Sequence, residues 1–201
     1  MRLEDAIARL DAIHVQVLRS ETFRGVRALP TALTAGIALA ACILQSSCFV
    51  PADPAEFTSY WLTVAALAAT IGLLDLAVYV VRGGAIAFRR AVVVLRQVLP
   101  AFGVAAVLTV VLLQTGDVAT TLLPGLWSLS FALALAAAQP FLPPALAVAT
   151  GFYFVAGVLL LVPDLRTPLA QPFGMGLTFG IGQLLTALAL RRSAEELAHG
   201  S

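Results

Sequence analysis

The chain has 201 residues, 60% of them hydrophobic and 11% charged, with a formal net charge of +1. A soluble globular chain is about 45–50% apolar and about 25% charged, so a soluble domain is excluded, as are a disordered or collagenous chain and a disulfide scaffold. The near-zero net charge gives no electrostatic basis for binding nucleic acid.

Residues 1–28 open the chain in a register unlike the rest. Leu3, Ile7, Leu10, Ile13 and Val17 recur at helical spacing among many charged residues. That periodicity predicts an amphipathic cytoplasmic or interfacial helix, lying on the membrane surface or capping a bundle. The alternative reading makes its apolar face a docking surface for a protein partner by helix-in-groove contact. His14 interrupts the apolar seam and argues against a coiled coil.

Residues 29–192 read as the transmembrane domain. A helix needs about 20 predominantly apolar residues to cross the hydrocarbon, and six stretches meet that length: 31–50, 59–81, 97–115, 120–138, 145–163 and 173–190. They lack period-two alternation and are rich in Leu and Ala, which argues against strands. The gaps are punctuated by Pro51 to Pro54, Gly83-Gly84, Gly116-Asp117, Gln139 to Pro144, and Pro163 to Pro172. Pro100 and Pro124 either kink the third and fourth stretches or occupy a first turn. Residues 193–201 form a polar tail. The predicted fold is all-α, a six-span transmembrane bundle preceded by the amphipathic helix.

Every basic residue is arginine. If the stretches alternate across the bilayer, eleven of the twelve fall on one side: five before residue 28, then Arg82, Arg89, Arg90, Arg96, Arg191 and Arg192. Only Arg166 falls on the other, with Asp53, Glu56, Asp117 and Asp164. The positive-inside rule then puts both termini in the cytoplasm. No secretory signal is evident, since the segment before the first apolar stretch is long and carries acids as well as arginines. Leu39-Ala40-Ala41-Cys42 has the form of a lipoprotein cleavage box, but cleavage there would discard the amphipathic helix. Cys42 and Cys48 are six apart, do not share a helical face, and read as free thiols.

Within the stretches Asp75 is the single ionisable group. A carboxylate there costs at least a few kcal/mol and marks either a functional group or a local ion pair. The pairing reading joins it to Arg82, two turns away on the same face, or to Arg96 across the hairpin. The functional reading makes it the coupling residue of a small-solute or ion transporter or channel, with Gln97 or Gln114 nearby. Transport paths bring several polar groups and broken helices to the midplane, and one off-centre acid does not match that pattern. Gly176 and Gly180 form a GxxxG on the last stretch, expected to pack inside the monomer or to support a homo-oligomer. Trp61 and Trp127 read as interfacial or packing aromatics.

Enzyme signatures fail. His14 and His199 lie in the terminal segments with no ligand partners, Glu195-Glu196 sit in a polar tail, and there is no nucleophile elbow, HExxH or glycine phosphate loop. No catalytic residue, cofactor or metal is expected, and a lipid-modifying enzyme is the least favoured class.

Glu21-Thr22-Phe23-Arg24-Gly25 before the first stretch, Leu123-Pro124-Gly125-Leu126-Trp127 at the fourth, and Phe173 through Leu185 in the sixth resemble an uncharacterised family of roughly 200-residue polytopic bacterial inner-membrane proteins. The resemblance implies the multi-span topology and an inner-membrane location and brings no activity. A basic residue would be expected between Gln139 and Pro144, and none is present. The leading functional expectation is a non-enzymatic membrane subunit or scaffold that engages a partner through its cytoplasmic face. The transporter or channel is the alternative.

Overall fold

The computed structural model describes residues 25–48, 53–116, 120–162 and 171–199. The described residues are all-helical, with no strand among them. They form α1 (Ala28–Ser47), α2 (Pro54–Thr115), α3 (Leu123–Ala138), α4 (Ala147–Leu160) and α5 (Gln171–His199), with two short 3-10 turns between α3 and α4. The amphipathic helix expected before the first span lies, up to residue 24, outside the described residues. So do Asp117, Asp164 and Arg166. The polar tail expected from residue 193 continues α5 as helix to His199.

Helix α2 contains 62 residues. Asp53 starts it, accepting a hydrogen bond from the Glu56 N–H at 2.8 Å, with Pro54 in the first turn where its missing N–H is harmless. A straight helix would hold Trp61 and Thr109 about 70 Å apart. Yet Trp127 packs against the cluster built on Phe57 and Trp61 and also donates its indole N–H to Thr109 Oγ1 at 2.8 Å. The helix therefore folds back on itself. The reversal is at Gly84, whose φ of 62° and ψ of −149° are the only non-helical angles in the element. A side chain rarely adopts that conformation, which explains the glycine. Pro100, one of the two prolines offered as a kink, stands inside the second arm, and Pro124 occupies the first turn of α3.

Two apolar clusters mark the ends of the bundle. One gathers Ala91, Val94, Ala138, Leu142, Leu146, Ala189 and Leu190, with Ala28, Tyr79 and Val80 against it. The other gathers Ala41, Cys42, Phe57, Trp61 and Met175, with Trp127 and Phe179 against it. Each helix, and each arm of α2, runs from one end toward the other. Short connections between successive segments produce this up-and-down order.

The expectation of six spans is corrected. Three helices are long and apolar enough to cross a membrane: α1, α2 and the Phe173–Glu196 part of α5. The second and third expected spans belong to the single helix α2, because one glycine makes the turn where a loop of several residues was expected. The fourth and fifth are α3 and α4, of 16 and 14 residues. Helix α3 ends at Ala138 as expected but starts only at Leu123, with Pro124 in its first turn. The 3-10 turn at Pro144–Leu146 delays the start of α4 to Ala147, and α4 ends at Leu160.

Close backbone approach organises the interior. A Cβ on Gly176 would fall 2.1 Å from Cys42 Cβ, and one on Gly180 would fall 2.5 Å from Leu39 Cδ2. The GxxxG face thus packs α5 on α1 within the chain. Gly125 and Gly157 set α3 against α4: a Cβ on Gly125 would fall 2.9 Å from the Gly157 carbonyl oxygen, and one on Gly157 would fall 3.0 Å from that of Gly125. Cys42 is buried in that α1–α5 contact while Cys48 is exposed, and both are free thiols.

A candidate ion-pair site at the arginine-rich end

The helix order gathers the arginines. Arg27 precedes α1, Arg82 precedes the Gly84 turn, Arg89 and Arg90 follow it, and Arg191 and Arg192 follow Leu190 on α5. Ala28, Val80, Ala91 and Leu190 all belong to one apolar cluster, so these arginines share one end of the bundle. Asp53 and Glu56 stand beside Phe57, at the opposite end.

Asp75 is 6% exposed and lies near the arginine-rich end. Its carboxylate accepts from the Arg27 backbone N–H at 3.2 Å and from the Arg27 side chain through Nε, and Nη2 completes the ion pair. Arg27 is the N-cap residue of α1 and has no capping side chain of its own. The Asp75 carboxylate, on the neighbouring helix, satisfies the N–H of this N-cap residue and lies at a helix start, where the dipole favours an anion. Thr31 Oγ1 closes the same turn by donating to the Arg27 carbonyl at 2.8 Å.

The expected partners of Asp75 are therefore replaced. Arg82 and Arg96 are exposed, and neither pairs with it. Two turns along one helix is about 10 Å of axis, too far for a short aspartate to prefer over a residue at its own level on α1. The hairpin register contains the signal that was missed. Tyr60 donates to the Ala41 carbonyl at 2.7 Å, and these two residues sit equally far from the α1–α2 turn. Within a residue, Asp75 and Arg27 do too. Gln97 and Gln114 are exposed and contribute nothing to the site.

Most interior polar groups are paired locally. Trp61 donates its indole N–H to Gln45 Oε1 at 2.8 Å, and Ser128 donates to the Tyr153 carbonyl at 2.7 Å. Thr58, Thr109, Thr150 and Thr186 bond back to carbonyls four residues earlier, as hydroxyls in apolar helices commonly do. Gln45 Nε2 and the Tyr153 hydroxyl have no hydrogen-bond partner among the described residues. Tyr153 is held in a ring cluster with Phe131, Phe152 and Phe179. Nothing in the sequence singled it out, because an aromatic in an apolar helix carries no periodic signal.

Among the described residues no group of His, Cys, Asp and Glu is arranged to hold a metal ion. No family model, curated protein or solved structure matches the chain.

Proposed function

We propose that the chain is a multi-pass protein of the bacterial inner membrane with both termini in the cytoplasm, acting as a non-enzymatic subunit or scaffold. In this reading the arginine-rich end faces the cytoplasm, the two arms of α2 cross separately, and the short α3–α4 pair is carried between longer helices. The gathering of arginines at one end, with Asp53 and Glu56 at the other, supports the orientation.

The observation that carries the subunit reading is the placement of Asp75. The one acid within the apolar segments is tied to Arg27 at the start of α1, near the end of the bundle. A coupling carboxylate instead needs to exchange its proton or ion along a path. The pairing supports a structural role for Asp75 and leaves partner contact as the work of the cytoplasmic face.

The test is extraction of the tagged full chain from its native membrane in mild detergent, with copurifying proteins quantified. A stoichiometric partner lost on deleting residues 1–24, which keeps Arg27 and its pairing with Asp75, is the expected result. A clean homo-oligomer with nothing attached, together with solute flux abolished by Asp75→Asn in a folded protein, would overturn the reading in favour of a transporter or channel.

A further inference from the structure

Arg27, Val78, Tyr79, Arg82 and Gly83 line an open recess of about 270 Å³ beside Asp75. One wall is held in place. Asp75 grips Arg27 through its backbone N–H and through the guanidinium, so this side chain does not swing freely although it is half exposed. Among the described residues the second guanidinium, that of Arg82, makes no ion pair. Counted over the described residues, the recess carries one arginine charge in excess beside the apolar side chain of Val78 and the ring of Tyr79. The nearby Arg89, Arg90, Arg191 and Arg192 add to the positive field at this end, with Glu195 offsetting Arg191.

That combination specifies a ligand. Guanidinium groups match phosphate oxygens in geometry and charge, and basic pockets at the cytoplasmic end of helical bundles suit phosphate headgroups. The apolar walls add contact for an attached alkyl part. On the membrane reading above, on which this inference rests, the recess opens at the level of the headgroups. We propose that the recess binds the phosphate of an anionic amphiphile, seated between Arg27 and Arg82 with its adjoining apolar part along Val78 and Tyr79. Asp75 is then a positioning residue that holds Arg27 in place for the phosphate.

Membrane fractionation of the full chain comes first and reports on the membrane reading alone. The full chain in mild detergent is then titrated with short-chain phosphatidylglycerol, short-chain phosphatidylcholine and inorganic phosphate. Phosphatidylglycerol is expected to bind more tightly than phosphatidylcholine. Arg82→Gln should weaken it about fivefold, the effect of one arginine at a membrane surface. Arg82 is exposed, so this variant should fold, and Arg82→Lys should retain most of the binding. Arg192→Gln, at the same end but outside the recess, should change little. If inorganic phosphate binds and is lost in Arg82→Gln while the two lipids bind alike, the phosphate site stands and its source is a free phosphate. Equal losses in Arg82→Gln and Arg192→Gln, or no preference for either phosphatidylglycerol or phosphate, would overturn the site.

Discussion

Helices α1 and α5 and the long hairpin α2 solve the same problem in opposite ways. All are long and apolar, yet half of the apolar window of α5 and 39% of that of α1 are buried inside the chain, against 6% for α2. The difference lies in side-chain size at the contact. Where α5 meets α1, Gly176 and Gly180 let the backbones approach, with Ala38, Leu39 and Cys42 on the α1 side. In the α2 arms, Leu73, Leu74, Val81, Ile86, Val104 and Val107 point outward. Lipid tails are as apolar as leucine, so burial in a bilayer gains little from the hydrophobic effect and depends on close packing instead. Apolar length alone makes a span, and small residues at helical spacing make an interface.

The largest expected effect comes from filling the close contact. Gly176→Val should destabilise the chain by about 3 kcal/mol, because its Cβ meets Cys42 Cβ, an atom that moves only with the α1 backbone. Gly182→Val should do comparable damage, since its Cβ would fall 2.2 Å from Tyr153 Cζ, within a packed ring cluster. Unfolding in mixed micelles followed by circular dichroism measures both. The pair Gly176→Ala with Cys42→Gly sharpens the test: moving the methyl group across the interface should recover a large part of what Gly176→Ala alone loses.

Next in size is the ion pair that joins the two regions. Asp75→Ala should cost about 2 kcal/mol, below the cost of breaking a fully buried pair because the Arg27 side chain is 51% exposed. Asp75→Asn keeps a carbonyl oxygen for the Arg27 N–H and should cost about half as much. The same unfolding measurement ranks the two, and an equal loss from both would assign the whole effect to charge. Gly84→Ala follows closely, at about 1–2 kcal/mol, from forcing a side chain into that backbone conformation. It should weaken the hairpin, and cross-linking between cysteines placed on the two α2 arms should fall with it.

The all-helical class was legible in composition, and Pro51 to Pro54 marked the gap after the first stretch, but α1 ends at Ser47 rather than at 50 and α2 starts at Pro54, within that gap, rather than at 59. Close packing at Gly176 and Gly180 was legible too, because small residues at that spacing let helix backbones approach, while the spacing alone does not choose between a contact within the chain and one between copies. Three things were not. The reversal at Gly83-Gly84 reads as the edge of a loop, since sequence gives no means of telling one left-handed glycine from several irregular residues. The late starts of α3 at Leu123 and of α4 at Ala147 follow from prolines in or just before their first turns, while hydropathy registers only a continuous apolar run. The partner of Asp75 depends on helix-hairpin register. Arg82 lay within view on the same helix, whereas Arg27 is distant in sequence and meets Asp75 only once α1 and α2 are laid antiparallel.

The smallest expected effect is the most direct test of the contrast between the two regions. Gly72 and Gly103 stand in the middle of the two α2 arms, and a Cβ on either would meet nothing within 4 Å. By helix propensity, Gly→Ala at both positions should leave stability unchanged or raise it by up to about 1 kcal/mol. The same substitution at Gly176 should destabilise. If the arms face lipid, the doubly substituted protein should also keep its oligomeric state in mild detergent. If instead Gly72→Ala or Gly103→Ala destabilises the protein or dissociates an assembly, the arms are packed by another chain at those glycines. The low burial of α2 would then be a property of the isolated subunit, and its outward-facing valines and leucines would become the first place to look for the partner.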